Sequence, residues 1–144
     1  MPFTNYLDQA LVTEVFGAVA YTVPADVYVA LSTTTPVQAE GTATPYWNFT
    51  EPSGSGYARV TVANNTTSWV AAGTQPSTGY EVDNGVAITF PSATGSWGTV
   101  TYFGIFDAAT AGNLLGFGAL TTSQAIASGD TPSFAVGALT ITNN

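Results

Sequence analysis

The stretch Gly95–Gly118, GSWGTVTYFGIFDAATAGNLLGFG, decides how the rest of the chain is read. Runs of β-branched and aromatic residues flank a turn-forming segment that begins at Asp107, which predicts two facing strands, Thr99–Phe106 and Leu114–Leu120. The stretch holds one carboxylate, Asp107, and five aromatic rings: Trp97, Tyr102, Phe103, Phe106 and Phe117. Strict alternation puts Val100, Tyr102 and Phe106 on one side and Phe103 and Ile105 on the other. In the partner strand it sets Leu115 and Phe117 opposite Leu114 and Leu120, with Gly116 and Gly118 allowing close approach. Neither side is a polar, solvated face. Burying each large apolar side chain is worth roughly 1.5–3 kcal/mol, so both faces call for a cover. One should line a sandwich. The other should meet an N-terminal helix, a long loop or a second subunit.

Working outward, the same grammar recurs. Val27–Ser32, Tyr57–Ala63, Val86–Phe90 and Phe134–Thr142 read as strands, with weaker runs at Tyr46–Phe49 and Thr67–Ala71. In Tyr57–Ala63, alternation sets Ala58, Val60 and Val62 inward and Tyr57, Arg59 and Thr61 outward. Asp83-Asn84-Gly85 carries the Asn-Gly signal of a tight hairpin. Phe134 and Val136 differ in parity from Leu139 and Ile141, so a bulge at Gly137 would bring both pairs to one core. The alternative is a strand buried on both faces. The single helical pattern lies at Tyr6–Phe16, with Leu7, Leu11 and Val15 on about one face, Asn5 as cap and Gly17 as stop. Residues 33–55 form a long loop carrying Tyr46, Trp47 and Phe49, which should pack on a neighbour or over one end of the fold. The expectation is a mainly β chain: one antiparallel β-sandwich domain over residues 1–144, jelly-roll-like, with one short N-terminal helix.

Composition narrows function. Nine carboxylates face one cation, Arg59, for a net charge of −8. Phosphate backbones require several Lys or Arg, so nucleic acid is not an expected partner, and anionic membrane surfaces are disfavoured for the same reason. No apolar run reaches membrane-spanning length, and the first residues lack the positive region of a secretory signal, so neither membrane insertion nor export is expected. Only 7% of residues are charged, against the usual quarter, leaving a hydroxyl-rich surface typical of extracellular and virion β proteins.

There is no Cys and no His, which removes thiolate nucleophiles, the usual base of a serine nucleophile and the common zinc ligands. An enzyme would need paired carboxylates. Of Glu40, Glu51, Glu81, Asp83, Asp107 and Asp130, only Glu81 and Asp83 share a strand face, and they read better as a solvated strand residue and a turn residue. The turn Glu81-Val82-Asp83-Asn84-Gly85 has calcium-ligand types without the spacing of an EF-hand loop. No catalytic residue, metal or cofactor is expected. Arg59, alone among carboxylates, should pair either with its own chain or with a neighbouring subunit.

Several segments read together resemble a family of small bacteriophage virion proteins, described as tail-fibre-like. They are Val27–Pro36 (VYVALSTTTP), Glu51–Val60 (EPSGSGYARV), Asn84–Gly98 (NGVAITFPSATGSWG), Tyr102–Asp107 (YFGIFD), Gly112–Leu115 (GNLL) and Ser128–Pro132 (SGDTP). The likeness runs from Asn5 onward, with a longer middle segment from Glu40 to Phe49. It implies a β-sandwich without catalytic residues, placed either on the outer capsid or on the tail. The chain lacks fibre-like repeats, heptads and a glycine-rich stalk. The leading expectation is therefore a homotrimeric capsid cement or decoration protein, bound to the major capsid protein at the outer head surface and assembled in the host cytoplasm. The alternative is a host-recognition module of a tail fibre or tailspike, stacking a host surface glycan on Tyr46, Trp47 and Phe49. Interface contacts are expected from Tyr46, Trp47, Phe49, Arg59, Trp97, Tyr102, Phe103, Phe106 and Phe117.

Overall fold

A computed structural model describes residues 3–38, 47–77 and 79–143. Glu40 and Tyr46 lie outside the described residues. The order of elements is α1 (Asn5–Gly17), β1 (Asp26–Ser32), β2 (Val37–Gln38), β3 (Trp47–Asn48), β4 (Val60–Ala63), β5 (Trp69–Ala71), β6 (Tyr80–Asn84), β7 (Ile88–Thr89), β8 (Gly98–Phe106), β9 (Leu114–Ile126), β10 (Ser133–Phe134) and β11 (Thr140–Asn143). The chain is mainly β with antiparallel pairing and one helix near its start, as its patterning predicts.

One layer is a four-stranded sheet in the order β4-β1-β8-β9. Facing it is a layer split into two ribbons, β10-β7 and β11-β6-β5. Val29, Leu31, Val62, Phe103 and Ile105 from the large sheet meet Ile88, Phe90 and Leu139 in the main core. Phe90 stands at its centre, edge-on to Trp97 and Phe134 with ring centroids 6.5 and 6.2 Å away. Trp97 sends its indole N–H to Ser55 O at 2.9 Å, so its one polar atom is satisfied inside the core.

The central hairpin forms, but its faces are not those of strict alternation. Val100 pairs with Gln124 and Tyr102 with Ala119, so residues 120–123 stand against Thr101 alone. A second irregularity pairs Ile105 with Gly116 and Phe106 with Leu114, leaving Leu115 extra. Each insertion resets the period-two alternation. Both insertions lie in β9, where Leu115 and Leu120 turn to the main core and Leu114 and Phe117 to the outer face. In β8, Phe103 and Ile105 face the main core and Phe106 faces outward as alternation predicts, while Val100 departs from it and joins the main core.

Other expectations shift for comparable reasons. β4 is shorter than Tyr57–Ala63, because Gly54, Ser55 and Gly56 all take positive φ (71°, 50° and 78°) and turn the chain just before it. Tyr57 consequently packs into the core, edge-on to Trp97 at 5.2 Å, and does not face outward. Ala58, expected inward, is exposed.

Asn84-Gly85 is not a hairpin turn. β6 pairs with β5 and β11, and β7 pairs with β10, so the chain crosses between ribbons there. Asn84 is fully buried and works as a brace: its Nδ2 donates to Val86 O and Ala135 O, each at 2.8 Å, and its Oδ1 accepts from Leu139 N at 2.8 Å. Gly85 is required by crowding, since a Cβ there would sit 2.2 Å from Thr67 O. The predicted strand Phe134–Thr142 is broken in two. Gly137, at φ 75°, lies in a turn, which sends Phe134 and Leu139 to one core and leaves Val136 63% exposed.

α1 spans one residue more at each end than predicted. Its cap is Thr4 and not Asn5: Thr4 is extended, and its Oγ1 accepts from Leu7 N at 3.5 Å. Thr4 is also fully buried and ties the helix to β9, donating from Oγ1 to Leu114 O at 2.5 Å and from N to Leu115 O at 2.9 Å. Ala18, left-handed at φ 53°, ends the helix in place of Gly17. Tyr6 and Leu7 reach the main core, whereas Val15 and Phe16 are 71% and 85% exposed, so only the first half of the predicted apolar stripe is covered.

Candidate functional site

The second face of the hairpin is covered by its own chain. Phe106, Leu114 and Ala30 are buried there beneath Trp47, Phe49, Tyr28 and Phe117. Phe49 stands edge-on to Phe106 at 5.3 Å and Trp47 does so at 6.4 Å. Gly104 makes room for this lid, since a Cβ at that position would lie 2.6 Å from Phe49 and 2.8 Å from Leu114. Trp47 and Phe49 thus pack over the sheet, and Ser32 ties the neighbouring backbone. The Ser32 hydroxyl donates to Thr34 O at 2.8 Å and accepts from Thr50 N at 3.3 Å.

Arg59 closes the lid. Its guanidinium lies 3.6 Å above the Phe106 ring centroid, a desolvated cation–π contact. It grips Glu51 through Nε, 3.1 Å from Oε1, and through Nη2, 2.6 Å from Oε1. Its Nη1 donates to Ala108 O at 2.7 Å and Ala111 O at 2.8 Å, carbonyls of the β8–β9 turn. The Tyr57 hydroxyl donates to the other Glu51 oxygen at 2.8 Å and accepts from Leu31 N at 3.0 Å. Burial, then the negative charge of Glu51, pushes the Tyr57 phenol well above its ordinary value. One arginine therefore joins the loop, the turn and the sheet. Sequence reasoning found its need for a partner but not which partner.

The residues expected at an interface separate into groups. Trp97, Phe103 and Phe106 are buried within the chain, at 4%, 6% and 3% exposure, so their rings are occupied by its own packing. Arg59 is spent on Glu51. Trp47, Phe49, Tyr102 and Phe117 keep part of their surface in contact with solvent. Exposed large apolar side chains include Val12, Val15, Phe16, Val19 and Val23 along and after α1, with Val37, Val70, Tyr80 and Val136 elsewhere; of these, only Val15 belongs to the predicted helical stripe.

Four carboxylates, Glu51, Glu81, Asp83 and Asp107, accept structural hydrogen bonds. Asp83 and Glu81 share a face of β6, as expected, and accept from Thr140 Oγ1 at 2.7 Å and Thr142 Oγ1 at 3.3 Å on β11. Asp83 thus belongs to the strand and not to a turn. Asp107 closes the β8–β9 turn, taking Asn113 N at 2.6 Å and Asn113 Nδ2 at 2.8 Å. Among the described residues no three metal-ligating side chains gather, and no helix is long and apolar enough to cross a membrane.

Two cavities stand out among the described residues. One, of about 320 Å³, is lined by Phe3, Leu7, Tyr21, Trp69 and Ile105 beneath the start of α1. The indole N–H of Trp69 is buried without an acceptor among the described residues. The other, of about 490 Å³, runs between the two layers along β9 and is bordered by hydroxyl and amide side chains.

The sequence matches no curated protein. Residues 2–142 match a family model described as Podophage GP4 fiber I protein gp80.

Proposed function

Since the chain belongs to the podophage GP4 fiber I protein gp80 family, we propose that it is a structural component of a phage virion that acts as a fibre module contacting the host. The observation that carries this reading is a family match over nearly the whole chain, to a family described by a fibre. The module is proposed to work by binding and not by catalysis: the one carboxylate pair that shares a strand face, Glu81 and Asp83, is engaged in hydrogen bonds to β11. It is proposed to act as a homotrimer, because a face bearing Val12, Val15 and Phe16 at 57–85% exposure suits a permanent contact better than free solvent. Light scattering on the recombinant chain checks the trimer, and a monomer at working concentration counts against it.

A second reading, a cement protein on the outer head surface bound to the major capsid protein, draws on one feature. Both β layers pack around the main core, and the sequence offers no shaft repeat or heptad to build a stalk. Copy number in purified virions separates the two. Tens of copies or fewer, with antibody labelling at the tail, support the fibre module; hundreds, with labelling over the head, support cement.

A further inference from the structure

The cavity along β9 was not foreseen in the sequence, because an irregularity in strand pairing creates it. Residues 120–123 bow away from Thr101 between the pairs Val100–Gln124 and Tyr102–Ala119. Bulges re-aim side chains and are over-represented at sheet edges and next to active sites. The bowed segment, the Asp130–Pro132 turn and β10 enclose a trough of about 490 Å³, within the size range of small-ligand sites.

Its chemistry is mixed in an ordered way. Leu120, Phe134 and Leu139 form an apolar floor, and Thr121, Thr122, Gln124, Asp130 and Ser133 form the rim. Among the described residues, the hydroxyls of Thr121, Thr122 and Ser133 have no partner within the chain. Asp130 uses Oδ2 to accept from Ala127 N at 2.8 Å, which leaves Oδ1 as an acceptor for an outside hydroxyl. The rim carries no cation, the chain's one cation is held by Glu51, and the net charge is −8. An anionic ligand would meet repulsion with nothing to neutralise it.

We propose that this trough binds a neutral saccharide, with one sugar face on the Leu120–Phe134 floor and its hydroxyls on the Thr121, Thr122, Gln124, Asp130 and Ser133 rim. This rests on the host-contacting reading and moves the sugar site away from Trp47 and Phe49, whose rings pack on Phe106.

The test is an amide-shift titration of the isotope-labelled full chain by nuclear magnetic resonance. The probes are neutral trisaccharides of glucose, mannose and galactose, with trigalacturonate as the anionic control, each to about 10 mM so that millimolar dissociation constants are covered. At least one neutral probe should shift the amides of Thr121–Gln124, Thr131 and Ser133, and trigalacturonate should shift none of them. The double variant T122V/Q124A should bind about fivefold more weakly, the loss of one neutral hydrogen bond, with an unchanged thermal midpoint. Silence with all three neutral probes overturns the proposal. So do shifts confined to the Trp47–Phe117 face, or equal binding of trigalacturonate. A parallel assay asks whether the recombinant chain blocks phage adsorption to host cells. Blocking without sugar shifts removes the trough and keeps the host-contacting reading; sugar shifts without blocking do the reverse.

Discussion

The two faces of the four-stranded sheet are covered by different means. The inner face meets a second β layer through Val29, Leu31, Phe103 and Ile105, and its stability comes from apolar area and packing. Among the described residues, the buried apolar side chains of the outer face are Ala30, Phe106 and Leu114, too little to hold a loop in place by area alone. It is closed by Arg59, Glu51 and Tyr57, whose hydrogen bonds fix the position of Trp47 and Phe49. A core of the first kind tolerates volume-conserving exchange. A cover of the second kind depends on particular donors and acceptors, because removing one partner leaves the other desolvated and alone.

The sharpest way to probe this contrast is to damage each face at its centre. Phe90→Ala empties the middle of the inner core and should cost about 3–5 kcal/mol in denaturant unfolding, while Phe90→Leu should cost far less. Arg59→Met keeps the stem but strands Glu51 and the two turn carbonyls. It should cost about 3 kcal/mol, and Arg59→Lys should restore little, since Lys cannot hold Glu51 and both carbonyls at once. If Lys restored full stability, the outer cover would be no more demanding than the inner one.

Tyr57→Phe is smaller, about 2 kcal/mol, because it removes one bond to a carboxylate and one to Leu31 N. It also has a pH signature. The folded phenol is raised above the ordinary value of 10.0, so the folded state holds its proton more tightly than the unfolded state does. The stabilisation is fully present below pH 10 and is lost as pH rises above it. Unfolding curves of the native chain should weaken above that point, and those of Tyr57→Phe should weaken less. Smallest of all is Gly104→Ala, about 1 kcal/mol of overpacking, because the Phe49 and Leu114 side chains it meets can shift. Its readout is increased protease cleavage within residues 33–55, with the inner core left intact.

Much of the inner face was legible in the sequence. Val27, Val29 and Leu31 alternate cleanly, and so do Ile88 and Phe90, so local pattern and burial agree. The outer face was legible only as a need: two apolar sides to one hairpin, and one arginine among nine carboxylates. The candidate saccharide trough was not legible at all, because Thr121, Thr122 and Gln124 look like any solvated strand until the register of their partner is known.

The sequence by itself determined a charge-poor β chain with a helix near its start, no thiol or imidazole chemistry, and the starts of β1, β8 and β9 to within a residue. These are local properties, set by side-chain volume, branching and backbone freedom over a few residues. Only the tertiary structure decided which side chains share a face, that Asn84 is a buried brace, and that Arg59 pairs with Glu51 over Phe106. Pairing register is fixed by contacts between distant strands, and an odd insertion, such as Leu115 or the three extra residues within the run 120–123, inverts the alternation of its strand beyond it.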